Sequence, residues 1–302
     1  MTPQDYLADQ FETHRAHLNA VAYRMLGSLA EAEDAVQEAW LRLSRVDDDE
    51  IGNLGGWLTT VVGRVCLDML RSRRVRREEP WEVRMPDPVV GVEDAFDPEQ
   101  QALLADAVGL ALQVVLESLG PAERLAFVLH DLFGLPFEQI APIVERSPDA
   151  ARKLASRARA RVRGFAPSPD ADLARQRRVV DAFQAAARDG DFEALLAVLD
   201  PDVVLRADTG APGGLSTLIG AREVAGNALL YRNVHQVPFV RGVLVNGGAG
   251  LLSSVEGRPV SLMSFTVVDG RIVAIDILAD PERLARLDLE AVTSGGRDSS
   301  ER

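Results

Sequence analysis

The apolar pattern of this chain changes its period near residue 170, and this change limits the folds that the chain can adopt. Up to that point apolar residues recur every three or four positions, which is typical of helices that bury one face. After one more helical stretch, short apolar runs follow one another between Gly or Asn-Gly turn signals, as in antiparallel strands. We therefore predict a multidomain protein with two all-α domains and a C-terminal α+β domain built on a curved antiparallel sheet.

Segments without periodicity set the predicted boundaries. Residues 78–98 contain four prolines, which predicts an extended linker. The expected organisation is a helical domain at 1–77, a proline-rich linker at 78–98, a second helical domain at 99–165, an α+β domain at 173–290 and a disordered tail at 291–302. No apolar run approaches the ~18 residues of a membrane span, and the N-terminus has no signal-peptide core. We therefore expect a cytoplasmic protein with no membrane partner.

The distribution of charge indicates nucleic acid, although the chain of 302 residues carries a net charge of −13. Six arginines and one acid lie between Gly63 and Arg77, and seven basic residues and one acid lie between Arg146 and Arg163. Clustered cations of this kind neutralise the phosphates of a nucleic acid. Two separate basic helices on an acidic chain therefore predict two nucleic-acid contacts.

The segment "GLPFEQIAPIVERSPDAARKLASRARARVR", residues 134–163, predicts a helix-turn-helix. Ser147 suits the N-cap of the second helix, and Pro148 suits its first position. An apolar stripe from Ala151 to Val162 would face the partner helices. The other side carries long donors suited to phosphates and to guanine in the major groove, namely Arg152, Lys153, Ser156, Arg157 and Arg159. A solvated arginine face on a structural helix is the alternative.

Three long motifs occur in this order: "AEAEDAVQEAWLRL", "GWLTTVVGRVCLDMLRSRR" and "LGPAERLAFVLHDLFGLPFEQIAPIVERSPDAARKLASRARARVR". They resemble conserved regions two and four of a bacterial RNA polymerase sigma factor of the extracytoplasmic-function type, in the sigma-70 family. The C-terminal segment resembles a SnoaL-like domain of the NTF2-like cone fold. The resemblance implies a sigma factor that binds core RNA polymerase and directs promoter-specific initiation, modulated by its own C-terminal domain. It implies no catalytic group, cofactor or metal, and it leaves open a small ligand in the cone.

The resemblance also implies roles for residues of the first domain. The helix expected to dock on the clamp helices of the polymerase β′ subunit carries Asp34, Gln37, Glu38 and Leu41. The residues expected to open and read the minus-ten element are Asn53, Arg64, Arg71, Arg74 and Arg77. The helix of Arg152 would read duplex DNA at minus thirty-five. Ser28 and Glu31 predict a capping box at the start of the docking helix.

The family's motifs in the linker and in the C-terminal domain are matched in part. Trp81 with Pro86-Asp87-Pro88 partly matches a Trp-Leu-Pro-Glu-Pro motif, Asp208 begins a glycine-rich turn, and Asp280-Pro281-Glu-Arg-Leu echoes an Asn-Pro-Asp-Lys-Leu motif. The residues to which the resemblance gives a role in interdomain regulation are Trp81, Pro86, Pro88, Asp208, Asp280 and Pro281. We expect the third domain to pack against the sigma domains through this linker.

Two other functions stay open from the residues alone. An isomerase or cyclase of the cone fold would use Asp208, His235 and Asp276 as acid or base. A one-component regulator would sense a ligand in the cone and bind an operator through the helix-turn-helix. Such a regulator has no need of a strand-opening first domain, so the first domain favours the sigma factor.

Overall fold

The computed structural model describes residues 3–45, 52–76, 85–91, 110–165, 169–211, 214–234, 239–287 and 289. These residues fold into two compact units. The helical unit comprises the described residues up to 76 together with 115–165, and the sheet unit comprises 85–91, 110–114 and the described residues from 169 onward. The first predicted helical domain and residues 115–165 of the second therefore lie within one unit, whereas residues 110–114 of the second belong to the sheet unit. Within the described ranges, every helix is too short or too polar to cross a membrane.

The first three helices of the helical unit pack around one apolar core. They are α1 (Pro3–Leu26), α2 (Leu29–Leu43) and α3 (Leu54–Arg76). Leu18 of α1, Val36 of α2 and Leu58 of α3 are all fully buried. Spacing of three or four residues between apolar positions brings each such stripe onto one face, so the sequence pattern accounts for this bundle.

The capping box predicted at Ser28 and Glu31 is wrong. Ser28 is the N-cap of α2, and its backbone carbonyl accepts a hydrogen bond from the Ala32 N–H (3.0 Å). Within the described residues its side chain makes no cap hydrogen bond, and Glu31 instead pairs with Arg73 of α3. A guanidinium binds a carboxylate more strongly than a backbone amide does, and only the packing of α3 on α2 brings it there.

The second half of the helical unit contains the predicted helix-turn-helix. Helix α4 spans Leu110–Glu117, and its residues 110–114 belong to the sheet unit. Helix α5 spans Pro121–Phe127 and leads into a π-helical turn at Val128–Leu132, α6 spans Phe137–Val144 and α7 spans Pro148–Phe165. Ser147 caps α7, because its Oγ accepts a hydrogen bond from the Ala150 N–H (3.3 Å). The predicted N-cap and first helical position are therefore confirmed. Glu145 takes a left-handed conformation (φ 56°) between α6 and α7.

The sheet unit has seven strands within its described residues. The helices are α8 (Leu173–Asp189), α9 (Phe192–Val198), α10 (Ala221–Val234) and α11 (Pro281–Leu284). The strands are β1 (Val90–Gly91), β2 (Leu199–Asp208), β3 (Ser216–Ile219), β4 (Phe239–Val245), β5 (Gly248–Val255), β6 (Arg258–Val268) and β7 (Arg271–Leu278). Their order in the sheet is β1-β4-β5-β6-β7-β2-β3.

The sheet is mixed, which corrects the prediction of a wholly antiparallel sheet. Strand β2 pairs with β7 in parallel, with Leu205 opposite Ile275 and Asp208 opposite Leu278. All the other neighbouring strands pair antiparallel. Alternation of apolar and polar residues in the sequence predicts that a segment is a strand, but it does not predict which distant strand pairs with it.

Each face of the sheet has its own apolar core. On one face, Val180 and Phe183 of α8 pack with Leu195, Val224 and Phe265. On the other face, residues that precede this domain in the chain take part in the core, which consists of Met85, Val90, Leu110, Val114, Val243, Val245, Leu252, Leu262, Leu278, Leu284 and Leu289. Residues 85–91 of the predicted linker thus belong to the packed structure of the sheet unit.

Candidate nucleic-acid and polymerase interfaces

Helix α7 has one buried side and one exposed side. Its apolar stripe is buried at Ala151, Ala155 and Ala158. On the opposite side lie the predicted DNA-contacting residues, of which Arg152, Lys153, Ser156 and Arg157 are exposed and Arg159 is half-buried. The structure therefore brings four of these five residues together on one exposed face, and the fifth lies at its edge.

Acidic and aromatic neighbours hold two of these arginines. Arg152 Nη1 lies 2.6 Å from the Asp149 carboxylate, one turn earlier on α7, and its guanidinium lies 5.3 Å from the centre of the Phe137 ring. Arg157 Nε lies 3.1 Å from the Glu123 carboxylate of α5. The pair of Arg152 with Asp149 is exposed on both sides and contributes at most about 1 kcal/mol, so another acceptor can replace Asp149.

The side chain of Arg159 is less exposed than those of the neighbouring arginines on α7. Its Nε and Nη2 both lie 2.7 Å from Asp131 Oδ1, and its side chain is 35% exposed, against 66% for Arg157. This pairing ties α7 to the π-helical turn. The prediction also missed Arg161, which is exposed and lies 3.7 Å from Glu123. Arg161 follows Arg157 by four positions and could have been found from helical spacing, whereas Glu123 and Asp131 required the fold.

Asn53 stands at the start of α3 and caps it. Its Oδ1 accepts a hydrogen bond from the Gly56 N–H (3.1 Å), and its backbone carbonyl accepts one from the Trp57 N–H (3.0 Å). Asn53 is exposed, so its side-chain NH₂ faces solvent beside the start of the helix. Capping uses the acceptor of the Asn53 side chain and does not use its two N–H donors.

The predicted minus-ten arginines follow α3 toward its end. Arg64 and Arg71 are exposed, and Arg71 Nη1 lies 3.7 Å from Asp68. Arg74 lies within α3, with only its backbone described, and Arg77 lies outside the described residues. The seven-residue step from Arg64 to Arg71 is two helical turns, so both arginines lie on one side of α3.

The predicted polymerase-docking residues share one face of α2. Asp34 and Gln37 are exposed, Leu41 is 43% exposed, and Glu38 is half-buried with its Oε1 2.9 Å from Arg42 Nε. Their spacing of three, four and seven positions places them in one row. An exposed leucine among acids on one helix face is a combination that suits a partner with a basic and apolar surface.

Helix α3 also packs against α5 and α6. A Cβ on Gly63 would lie 3.5 Å from Leu129 Cδ1, 3.7 Å from Leu125 Cδ1 and 3.8 Å from Ile143 Cδ1. The first predicted DNA-reading helix thus contacts the helices that precede the second one. We call this arrangement of α3 on α5 and α6 the closed arrangement.

A buried arginine strengthens the closed arrangement. Arg124 of α5 is 2% exposed, its Nε donates a hydrogen bond to the carbonyl oxygen of Arg24 in α1 (3.1 Å), and its Nη1 lies 2.8 Å from Glu117. A buried charged donor that loses its partners costs several kcal/mol, so Arg124 favours the closed arrangement over partly separated ones.

Cys66 of α3 is also buried, and burial raises the pKa of its thiol to about 12.

In the sheet unit, a second arginine, Arg283, forms an ion pair with a residue of the predicted linker. Arg283 lies 2.7 Å from Asp87 and 2.7 Å from Asp208, and Asp208 also accepts a hydrogen bond from the Met85 N–H (3.3 Å). Strand β1 pairs with β4. Pro86 and Pro88 are buried within the same stretch.

The Asp280-Pro281 motif begins α11, the short helix that carries Arg283. Asp280 caps α11 by accepting hydrogen bonds from the backbone N–H groups of Glu282 and Arg283. A Cβ on Gly210 would lie 2.9 Å from the Asp280 carboxyl carbon, and Gly210 has φ +74°, so glycine is required there. Trp81, which was also predicted to act here, lies outside the described residues.

The carboxylates of the alternative enzyme hypothesis are both bound to arginines. Asp276 is fully buried with Arg206 Nε at 2.8 Å, and burial raises the pKa of Asp276 although Arg206 opposes this. Side chains alternate along a strand, so Asp208 and Asp276 lie on the face of Leu278 and not on the face covered by α8. His235 lies outside the described residues. Asp208 and Asp276 therefore do not line the face of the sheet that α8 covers.

Comparison with known proteins identifies two family regions in this chain. The family model Sigma-70 region 2 matches residues 10–76, and the model Sigma-70, region 4 matches residues 109–162. The probable ECF RNA polymerase sigma factor SigI of Mycobacterium tuberculosis is 36% identical over 96% of this chain and 99% of its own length. The ECF RNA polymerase sigma factor SigJ of the same species is 39% identical over 91% of this chain and 92% of its own length.

A solved structure agrees with these relatives. The crystal structure of the Mycobacterium tuberculosis extracytoplasmic function sigma factor SigJ is similar over 93% of this chain and 99% of that chain, with a TM-score of 0.74 and 35% identity. Sigma-70 regions 2 and 4, found together in one chain, define a transcription initiation factor. The chain belongs to the ECF RNA polymerase sigma factors. The predicted fold class is confirmed as two helical sigma regions followed by a C-terminal α+β domain, whose sheet is mixed.

Proposed function

We propose that this sigma factor binds core RNA polymerase through α2, reads minus-ten DNA with α3 and minus-thirty-five DNA with α7, and regulates itself through its sheet unit. The observation that carries the proposal is the outer face of α7. Four polar or basic side chains are exposed there on a capped helix whose other side is buried. A structural helix gains little from a row of exposed arginines on an acidic chain, whereas a reader of DNA requires one.

Within α7, Arg152 and Arg157 are our proposed base readers. Their side chains are 57% and 66% exposed, respectively. Arg with two free donors binds guanine O6 and N7 in the major groove. Lys153 and Ser156 are exposed beside them and suit phosphates, while Arg159, held by Asp131, has a mainly structural part.

For minus-ten DNA we propose Asn53 and the exposed arginines of α3. Opening a duplex requires capture of an unstacked base and a cationic path for the displaced strand. The free NH₂ of Asn53 suits the base, and Arg64, Arg71, Arg74 and Arg77 suit the strand. We assign Asp34, Gln37, Glu38 and Leu41 to the clamp helices of the polymerase, because this row combines acidic groups with an exposed leucine.

The closed arrangement and promoter reading exclude each other in our proposal. By their names the two promoter elements lie about 25 base pairs apart, which is about 85 Å along B-DNA. Helices in direct contact have axes only about 10 Å apart. Helix α3 therefore has to leave α5 and α6 before each helix can reach its own element, so we take the closed arrangement as a resting state.

Regulation by the sheet unit would act through the linker. Arg283 holds Asp87, and β1 is a strand of the sheet, so the stretch between the two sigma regions is anchored in the sheet unit. Anchoring shortens the chain that is free to span the two regions. The carboxylates Asp208 and Asp276 are occupied by arginines, which supports a role for this domain in control without chemistry of its own.

The test is a base-by-base scan of the minus-thirty-five element with reconstituted holoenzyme. Arg152→Ala and Arg157→Ala should each cost about 1–3 kcal/mol and relax the preference at defined positions. Arg159→Ala should lower the thermal midpoint and leave the preference largely intact. An equal loss of affinity on every sequence for Arg152→Ala and Arg157→Ala would reduce these residues to phosphate contacts and refute the assignment.

A further inference from the structure

Glu123 is an acid that contacts two arginines of the DNA-facing helix from a different helix. It lies in the first turn of α5, and its carboxylate is 3.1 Å from Arg157 Nε and 3.7 Å from Arg161 Nη1. Glu123 is 21% exposed, while Arg157 is 66% exposed. The acid is thus well packed, and the arginine that it holds extends into solvent.

The nitrogen of Arg157 that lies nearest to Glu123 determines which of its N–H donors remain for a contact with DNA. A guanidinium has five N–H donors in a rigid fork, and in the ion pair with Glu123 the nearest nitrogen of Arg157 is Nε, at 3.1 Å. Within the described residues, neither terminal NH₂ group of Arg157 makes a hydrogen bond, and the side chain is 66% exposed. An arginine side chain also loses rotamer entropy when it is fixed, and the pair with Glu123 restricts Arg157 before DNA binds, so less entropy is lost on binding.

The other arginines of α7 provide a contrast. Arg159 presents both Nε and Nη2 to Asp131, so half of its fork is occupied. Arg152 pairs with Asp149 of its own helix, and that acid is 83% exposed. Only Arg157 combines a single Nε contact from another helix with a mostly exposed end, among the α7 arginines whose ion pairs are described.

We propose that Glu123 is a positioning residue for promoter recognition: it holds Arg157 so that its terminal NH₂ groups meet the O6 and N7 of a guanine in the minus-thirty-five element. This inference rests on the proposed function of α7 as the reader of that element. The charge of Glu123 has a second effect, because a carboxylate beside two arginines weakens their attraction to phosphates on any sequence. Glu123 therefore raises discrimination and lowers non-specific affinity.

Two substitutions separate these effects. Glu123→Ala and Glu123→Gln both remove the charge, but Gln keeps an oxygen that can accept from Arg157 Nε. Binding of the full-length holoenzyme is measured on promoter fragments with each minus-thirty-five base pair changed, and on a duplex of unrelated sequence, at several salt concentrations. Glu138→Ala and Glu138→Gln are the matched controls, because Glu138 is exposed on α6 and has no ion pair within the described residues.

We expect Glu123→Ala to lose about tenfold in preference at one guanine position, and Glu123→Gln to retain a substantial part of that preference. Both should bind the unrelated duplex at least as tightly as the unmodified protein does, with a steeper dependence on salt. In the Arg157→Ala background, Glu123→Ala should change the base preference no further, because its effect passes through Arg157. The Glu138 variants should keep the base preference unchanged.

Three results would overturn the proposal. Full base preference in Glu123→Ala, with the unmodified protein specific in the same assay, would remove the positioning role. An equal loss on all sequences together with a lower thermal midpoint would make Glu123 a purely structural residue. A further loss of preference in the Arg157→Ala background would show that Glu123 acts elsewhere. If the unmodified holoenzyme itself showed no minus-thirty-five preference, the proposed function of α7 would fail first.

Discussion

Gly63→Ala should trap the resting state of this sigma factor. The new methyl group would lie 3.5–3.8 Å from Leu129, Leu125 and Ile143, which are ordinary van der Waals distances. It therefore fits between α3 and the helices α5 and α6 without displacing a neighbour. Because the open form lacks these contacts, the substitution should favour the closed arrangement.

The size of the effect follows from two separate contributions. Alanine stabilises a helix interior by about 1 kcal/mol relative to glycine, but this applies to α3 in the closed and the open form alike. Burial of the methyl against three apolar side chains adds about 0.8 kcal/mol in the closed form alone. The ratio of closed to open molecules should therefore rise about fourfold, while the thermal midpoint also rises.

The assay compares holoenzyme formation at limiting core polymerase with the distance between fluorophores on α3 and α7. We expect slower or weaker holoenzyme formation, by up to about fourfold, and a shorter mean distance. Gly226→Ala in α10 is the matched control, because a Cβ at Gly226 meets nothing within 4 Å among the described residues. It should raise stability and leave holoenzyme formation unchanged. A stabilised Gly63→Ala protein that initiates as fast as the unmodified protein, or faster, would refute the closed arrangement as a resting state.

Three more predictions follow from the remaining contacts. Replacing Asp34 and Glu38 together by lysine should abolish co-purification with core polymerase and leave the circular dichroism spectrum unchanged, because neither side chain is buried; normal co-purification would remove the clamp assignment. Arg283→Ala leaves the buried Asp208 without its ion-pair partner, so it should destabilise the sheet unit by about 3–5 kcal/mol and change promoter-dependent activity; Arg286→Ala, which removes an exposed pair, is the control and should do neither. Because burial raises the pKa of Cys66 to about 12, its thiol should resist alkylation at pH 8 until the chain unfolds, and stability should fall as the pH rises above about 9, where the unfolded thiol ionises first; rapid labelling of the folded protein would contradict this.

Local chemistry explains what could be predicted from the sequence. Ser147 and Pro148 set the start of α7 through interactions within four residues, so the helix-turn-helix follows from its own segment. Helical spacing likewise placed Arg152 and Arg157 on the exposed side. Such features depend on neighbours in the chain, and a pattern in the sequence reports them directly.

Features that depend on distant residues could not be predicted in this way. Glu31 looked like a capping residue because its partner Arg73 follows more than forty positions later. Asp280 and Pro281 were singled out, whereas the contact with the linker belongs to Arg283, which reaches back to Asp87. The parallel pairing of β2 with β7 is of the same kind, since it joins strands separated by most of the domain. Periodicity identifies each element but not its partner.

Transcription from a defined promoter tests the central claim most directly. Purified full-length protein is mixed with core RNA polymerase and templates in which the minus-ten element, the minus-thirty-five element or both are scrambled, after the elements have been identified by selection with the holoenzyme. We predict initiation that depends on both elements, and an Arg157→Ala protein whose dependence on the minus-thirty-five element is weakened while its dependence on the minus-ten element is unchanged. Binding of the protein to that promoter without any stimulation of core polymerase would contradict the account, because it would make the chain a DNA-binding regulator that does not initiate transcription.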